Sequence, residues 1–141
     1  NNYQFCSPEM ANKVEQRLAL EYHLHHAVSN DEFSLSYQPI ISLQSNDMVA
    51  VEALIRWNKP NEGVIYPSDF IMIAETSGLI VPIGAWLLRK VCHDAAGWHA
   101  ISHQPITVAI NISIRQFILS DFVNFIYSRI SSSILYRYSI I

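Results

Sequence analysis

The chain has 141 residues, half of them hydrophobic and 15% charged, a balance that describes one globular domain with its own core and excludes a disordered chain. Its net charge of −3 leaves no basic surplus for a nucleic-acid polymer, while a small anionic ligand stays open. Asn1-Asn2-Tyr3-Gln4 does not read as a secretory leader, and no apolar run approaches the roughly 18 residues of a membrane span. Two distant cysteines, Cys6 and Cys92, give no metal spacing or disulfide framework and are expected to be reduced thiols.

Ser7-Pro8-Glu9 predicts a helix start: Ser7 caps it, Pro8 fits a position whose N–H has no helical partner, and Glu9 meets the positive end of the dipole. Val14, Leu18, Leu20, Leu24 and Ala27 carry the helix to about Ser29, where Asn30-Asp31 breaks it. Over Phe33–Ile41 the residues Phe33, Leu35 and Tyr37 alternate with Ser34, Ser36 and Gln38, the period of a half-buried strand. After the turn Gln44-Ser45-Asn46-Asp47, Met48–Trp57 is a second strand. The short link predicts an antiparallel hairpin. Asn58–Gly63 reads as a loop. Tyr66-Pro67 opens a helix that Gly78 closes. Another runs from about Pro82 to His99 with Ile83, Leu87, Val91 and Ala95 on one side. Arg89 and Lys90, midway along it, read as solvent-facing. Ile106–Ile114, dense in β-branched residues, predicts a third strand, and Ser120-Asp121 caps a last helix whose pattern fades after Arg129. Helix, hairpin, two helices, strand and helix make an α/β chain with a mixed sheet.

Along the second strand, Glu52, Leu54 and Arg56 share one face. Glu52 and Arg56 stand roughly 13 Å apart, too far for a direct ion pair, so each needs another partner. On the third predicted strand Asn111, a poor strand former, shares a face with Thr107, Ala109 and Ser113. Folding the hairpin about its turn brings Gln38 to the level of Glu52. Oxygen-bearing groups on neighbouring strands suit a magnesium-like ion or an anion better than zinc. Taken singly, however, a strand Glu or Asn is more often a solvated or locally paired residue. His99 and His103 have the spacing of a zinc motif, but Ala100 stands where that motif needs Glu. Trp57, Trp86 and Trp98 read as packing residues.

Tyr37-Gln38-Pro39-Ile40, Val51-Glu52-Ala53-Leu54-Ile55-Arg56-Trp57 and Pro67-Ser68-Asp69-Phe70-Ile71 together resemble the opening of EAL domains. Ala74-Glu75-Thr76-Ser77-Gly78-Leu79-Ile80 and Asn111-Ile112-Ser113-Ile114-Arg115-Gln116-Phe117 continue the resemblance in order. It implies the N-terminal part of a modified (β/α)8, TIM-like barrel with its first strand antiparallel, and hydrolysis of cyclic di-GMP to linear pGpG with two Mg²⁺ or Mn²⁺ ions. It further implies that Glu52 and Asn111 are metal ligands, that Arg56 holds a phosphate, that Gln38, Leu54 and Pro67 line the nucleotide site, and that Glu75 has a supporting structural role. The expected organisation is a lead-in helix over residues 1–30 following a GGDEF domain, the EAL part over 31–117, and a divergent tail over 118–141. A barrel of this kind needs about 250 residues. The family's later acidic strand ends and catalytic Lys have no counterpart here, and no acidic residue follows Asp121. The 141-residue chain therefore reads as truncated and inactive by itself, with a tail that looks out of frame. The alternative is a degenerate EAL module that binds nucleotide or a protein without catalysis. Expected partners are cyclic di-GMP, a second copy in a homodimer, and an upstream GGDEF or sensory domain; the expected location is cytoplasmic.

Overall fold

The computed structural model describes residues 8–102, 106–118 and 138–140. Ser7, Cys6, His103 and the helix start at Ser120-Asp121 lie outside them. Helix α1 (Pro8–Ala27) is followed by the hairpin β1 (Phe33–Ile41) and β2 (Met48–Lys59), then β3 (Gly63–Ile65), α2 (Pro67–Ser77), α3 (Ile80–Ser102), β4 (Val108–Ile110), α4 (Ile114–Ile118) and β5 (Tyr138–Ile140).

The hairpin is antiparallel, with Phe33 opposite Trp57 and Gln38 opposite Glu52. Its alternation sets one face against the helices: Val51, Ala53, Ile55 and Trp57 are buried, while Glu52, Leu54 and Arg56 between them are only half-buried. β4 adds in parallel to β2, with Glu52 level with Ala109 and Ala53 level with Ile110. β5 adds in parallel to β4. The sheet is therefore mixed, in the order β1-β2-β4-β5. Parallel neighbours need a crossover, and α2 and α3 supply it between β2 and β4.

Two apolar clusters tie the layers together. Leu24 and Ala27 of α1 pack with Trp57, Phe70, Ile73 and Ile83. Val51, Val91, Ala95 and Val108 form a second cluster under the parallel strands. Across the α1–α2 contact the Arg17 guanidinium donates to Thr76 Oγ1 at 3.0 Å.

Four sequence expectations need correction. Asn58–Gly63 is not a simple loop: β2 runs on to Lys59 and pairs with β3, Lys59 facing Gly63. Asn61 (φ 65) and Gly63 (φ 85) take the left-handed backbone that the reversal requires. α3 starts at Ile80, ahead of Pro82, because a proline in the first helical turn removes an N–H that has no partner there. The predicted strand Ile106–Ile114 contracts to Val108–Ile110; Ile114 opens α4 and is 78% exposed. Finally, the tail contains a strand, β5, where none was foreseen. No helix among the described residues is long and apolar enough to cross a membrane.

Candidate functional site

Glu52 and Asn111 meet. The Asn111 side-chain amide donates to Glu52 Oε1 at 2.7 Å. Asn111 follows β4 directly, and β4 lies in register beside β2. Glu52 shares a rung with Ala109, so Asn111, two residues further on, projects from the same face of the sheet. Asn111 lies just beyond the C-terminal end of β4, the side where α/β sheets hold ligands, and Glu52 lies midway along β2.

The other residues singled out in the sequence gather less tightly. Gln38 stands opposite Glu52 on β1, with its side chain exposed. Leu54 and Pro67 line a cavity of about 330 Å³ that Glu75, Asn111 and Ser113 also line. Arg56 is not brought to Glu52. Its Nη1 donates to the Ile55 carbonyl at 2.9 Å, and its guanidinium lies 5.2 Å from the centre of the Tyr66 ring. That contact leaves the cation at the strand end, steadied on one aromatic face.

Several residues that reasoning from sequence passed over organise the loop carrying Asn111. Ser113 and Gln116 form a capping box at the start of α4: Ser113 Oγ accepts from the Arg115 N–H at 3.3 Å, and Gln116 Oε1 accepts from the Ser113 N–H at 2.9 Å. The signal was present as Ser-x-x-Gln, but it lay at the end of a run read as strand. Ser113 Oγ also donates to Glu75 Oε1 at 2.5 Å, and the Arg115 guanidinium donates to the Glu75 backbone carbonyl. Glu75 thus touches the loop that bears Asn111.

A carboxylate and a carboxamide oxygen are hard donors of the kind Mg²⁺ and Mn²⁺ take, and Mg²⁺ is commonly held by one or two carboxylates with waters and substrate phosphates completing its shell. Glu52 and Asn111 fit that donor chemistry. Among the described residues no three His, Cys, Asp or Glu side chains cluster as a metal site, so the pair would supply only part of an ion's ligand set.

The family model for the EAL domain matches residues 21–141. The chain is 43% identical over 115 residues to the cyclic di-GMP phosphodiesterase PdeR of Escherichia coli, a match covering 80% of this chain and 17% of that protein. It is 37% identical over 111 residues to the cyclic di-GMP phosphodiesterase NbdA of Pseudomonas aeruginosa, covering 79% and 14%. Among solved structures it resembles the PaMucR phosphodiesterase in complex with cyclic di-GMP, with TM-score 0.77 and 33% identity over 83% of this chain and 47% of that one. The chain thus spans less than a fifth of these two curated relatives and about half of the solved structure.

Proposed function

The chain belongs to the EAL domain family, and from that membership we propose that it is the N-terminal part of a domain that binds cyclic di-GMP and, when complete, hydrolyses it to pGpG. Phosphodiesterases of this family are metal-dependent; for this chain the ions proposed are Mg²⁺ or Mn²⁺. The observation that carries the reading is the 2.7 Å contact between Glu52 and Asn111 across two parallel strands. That contact supports reading the two side chains as joint donors to one cation. A divalent ion bound there would polarise a phosphodiester and favour ionisation of an attacking water.

The chain's own residues have three tasks in this proposal. Glu52 contributes the negative charge, and Asn111 a neutral oxygen beside it. Arg56, held by the Ile55 carbonyl and the Tyr66 ring, presents a cation to a phosphate; Gln38, Leu54 and Pro67 border the nucleotide. With Glu52 and Asn111 as its contribution to the ion, the 141-residue chain by itself binds the nucleotide without turning it over. A homodimer, an upstream GGDEF or sensory domain and a cytoplasmic location belong to the same proposal.

Calorimetry and a hydrolysis assay test it. We expect the chain with Mg²⁺ or Mn²⁺ to bind cyclic di-GMP and to release no pGpG. Glu52→Gln and Asn111→Ala should each weaken binding. A contact to a charged group is worth about 1.5–3 kcal/mol, or roughly ten- to a hundredfold in affinity. Binding that neither variant alters would remove the site from the proposal. Release of pGpG would refute the inactivity of the isolated chain.

A further inference from the structure

Asn111 is exposed, and the hydrogen bond described for its side chain goes to Glu52. Packing around that side chain therefore does little to place it, and its backbone must do so instead. On one side, Ile110 is fixed by its rung with Ala53. On the other, the chain leaves the sheet through Asn111, Ile112 and Ser113 before α4 begins. A three-residue link of irregular backbone is free to swing unless something pins its far end.

We propose that Gln116 is the positioning residue that pins it, and so sets where Asn111 meets Glu52. This rests on the reading above that the pair acts together. Gln116 is 3% exposed, and both ends of its amide are used. Its Oε1 accepts from the Ser113 N–H at 2.9 Å, and its Nε2 donates to the Ile80 carbonyl at 2.8 Å. Ile80 is itself buried at the start of α3. The amide is therefore a rigid strut between the α2–α3 junction and Ser113. Glu75 of α2 adds a second tie to Ser113, through the hydroxyl. Two residues of chain span at most about 7 Å, so an anchor at Ser113 restricts Asn111 closely.

The chemistry requires an amide. A carboxylate at 116 would keep an acceptor for Ser113 but lose the donor for Ile80 and bury a charge. A methionine would keep the length and lose both bonds. Ser113 needs only its hydroxyl, so threonine substitutes for it and alanine does not.

The test reads the Asn111 side-chain amide by nitrogen-15 NMR in the dilute 141-residue chain labelled at asparagine, assigned by its loss in Asn111→Asp. Glu52→Ala marks the resonance position of the unbonded amide. Gln116→Met should move the Asn111 pair to that position, Ser113→Ala part of the way, and Ser113→Thr should leave it where it is in the parent chain. A lower melting temperature with an unmoved Asn111 amide in Gln116→Met would reduce Gln116 to a structural residue and overturn the proposal, whatever Ser113→Ala does. Should Gln116→Met fail to fold, Gln116→Glu, which loses the donor to the Ile80 carbonyl, decides on the same readout. Mn²⁺ titration followed by electron paramagnetic resonance separates the two levels of inference. Binding at least tenfold weaker in Gln116→Met is the expected result. If the parent chain takes up no Mn²⁺, the shared-ion reading falls, while the amide shift still decides the role of Gln116.

Discussion

Trp57 is completely buried, and its indole N–H would be stranded there without Glu32, whose Oε2 accepts it at 2.9 Å. Asn30 donates to the other carboxylate oxygen at 3.0 Å. The bond from Trp57, more than any other influence, holds the Glu32 carboxyl below its ordinary value of 4.5, against the opposing effect of burial. Because the folded-state pKa is depressed, the stabilisation is complete above the ordinary value and is lost as the pH falls through the lower folded one. Acid melts should therefore show a steeper loss of stability in the parent chain than in Glu32→Gln, whose amide does not titrate. Equal slopes would contradict this. Glu32→Leu, which leaves the indole donor unmatched, should cost about 1–3 kcal/mol at neutral pH. At this scale the site was partly legible. Asn111 stood out because asparagine is a poor strand former, and Glu52 because its alternation set it on the polar face. Glu32 did not stand out, because an acidic residue between a helix and a strand looks like any solvated turn residue.

Between elements, β1 and α3 are joined by a polar contact on an otherwise apolar seam. The Tyr37 hydroxyl donates to Asp94 Oδ2 at 2.9 Å, and its ring stands edge-on to Trp98 with centroids 4.6 Å apart. Lys90, expected to face solvent, meets the other Asp94 oxygen at 2.7 Å while remaining 42% exposed. Burial, then donation to Asp94, raises the Tyr37 pKa. A raised folded-state pKa means the stabilisation is complete below the unfolded value of about 10 and is lost as the pH climbs above it. Alkaline melts should show this loss in the parent chain and a flatter profile in Tyr37→Phe. At neutral pH that variant should be less stable by about 1.5 kcal/mol, the low end for a bond to a charged acceptor at a half-buried site. The hairpin was legible because a period of two leaves little choice of register when one face is buried. β4 was not. Nine residues rich in isoleucine and valine have strand propensity, but the capping box from Ser113 to Gln116 satisfies helix-end donors locally and turns the chain after three paired residues. A local hydrogen-bond motif outweighed a composition that seemed to continue the strand.

At the scale of the molecule, three strands among the described residues are hydrogen-bonded to a single neighbour: β1, β5 and the short β3. An outer strand presents unpaired N–H and C=O groups to any other chain. At the β1–β2 hairpin end, Ile41, Leu43, Met48 and Val49 are all exposed, Leu43 completely. The polar face carrying Glu52, Leu54 and Arg56 is only half-buried, consistent with a face that a closed barrel would turn inward. Open edges give backbone pairing, and apolar side chains beside one of them give it a driving force. The 141-residue chain should therefore self-associate as its concentration rises. Sedimentation velocity across a dilution series should show a rising mean coefficient, and the double variant Leu43→Lys/Met48→Lys should flatten that rise by placing charge at the edge. A single concentration-independent monomer boundary would mean that these edges are shielded in solution. Association that the lysine variant leaves untouched would place the contact elsewhere, at β5 or along the exposed side of α1, where Met10, Val14, Leu18 and Tyr22 recur every four residues.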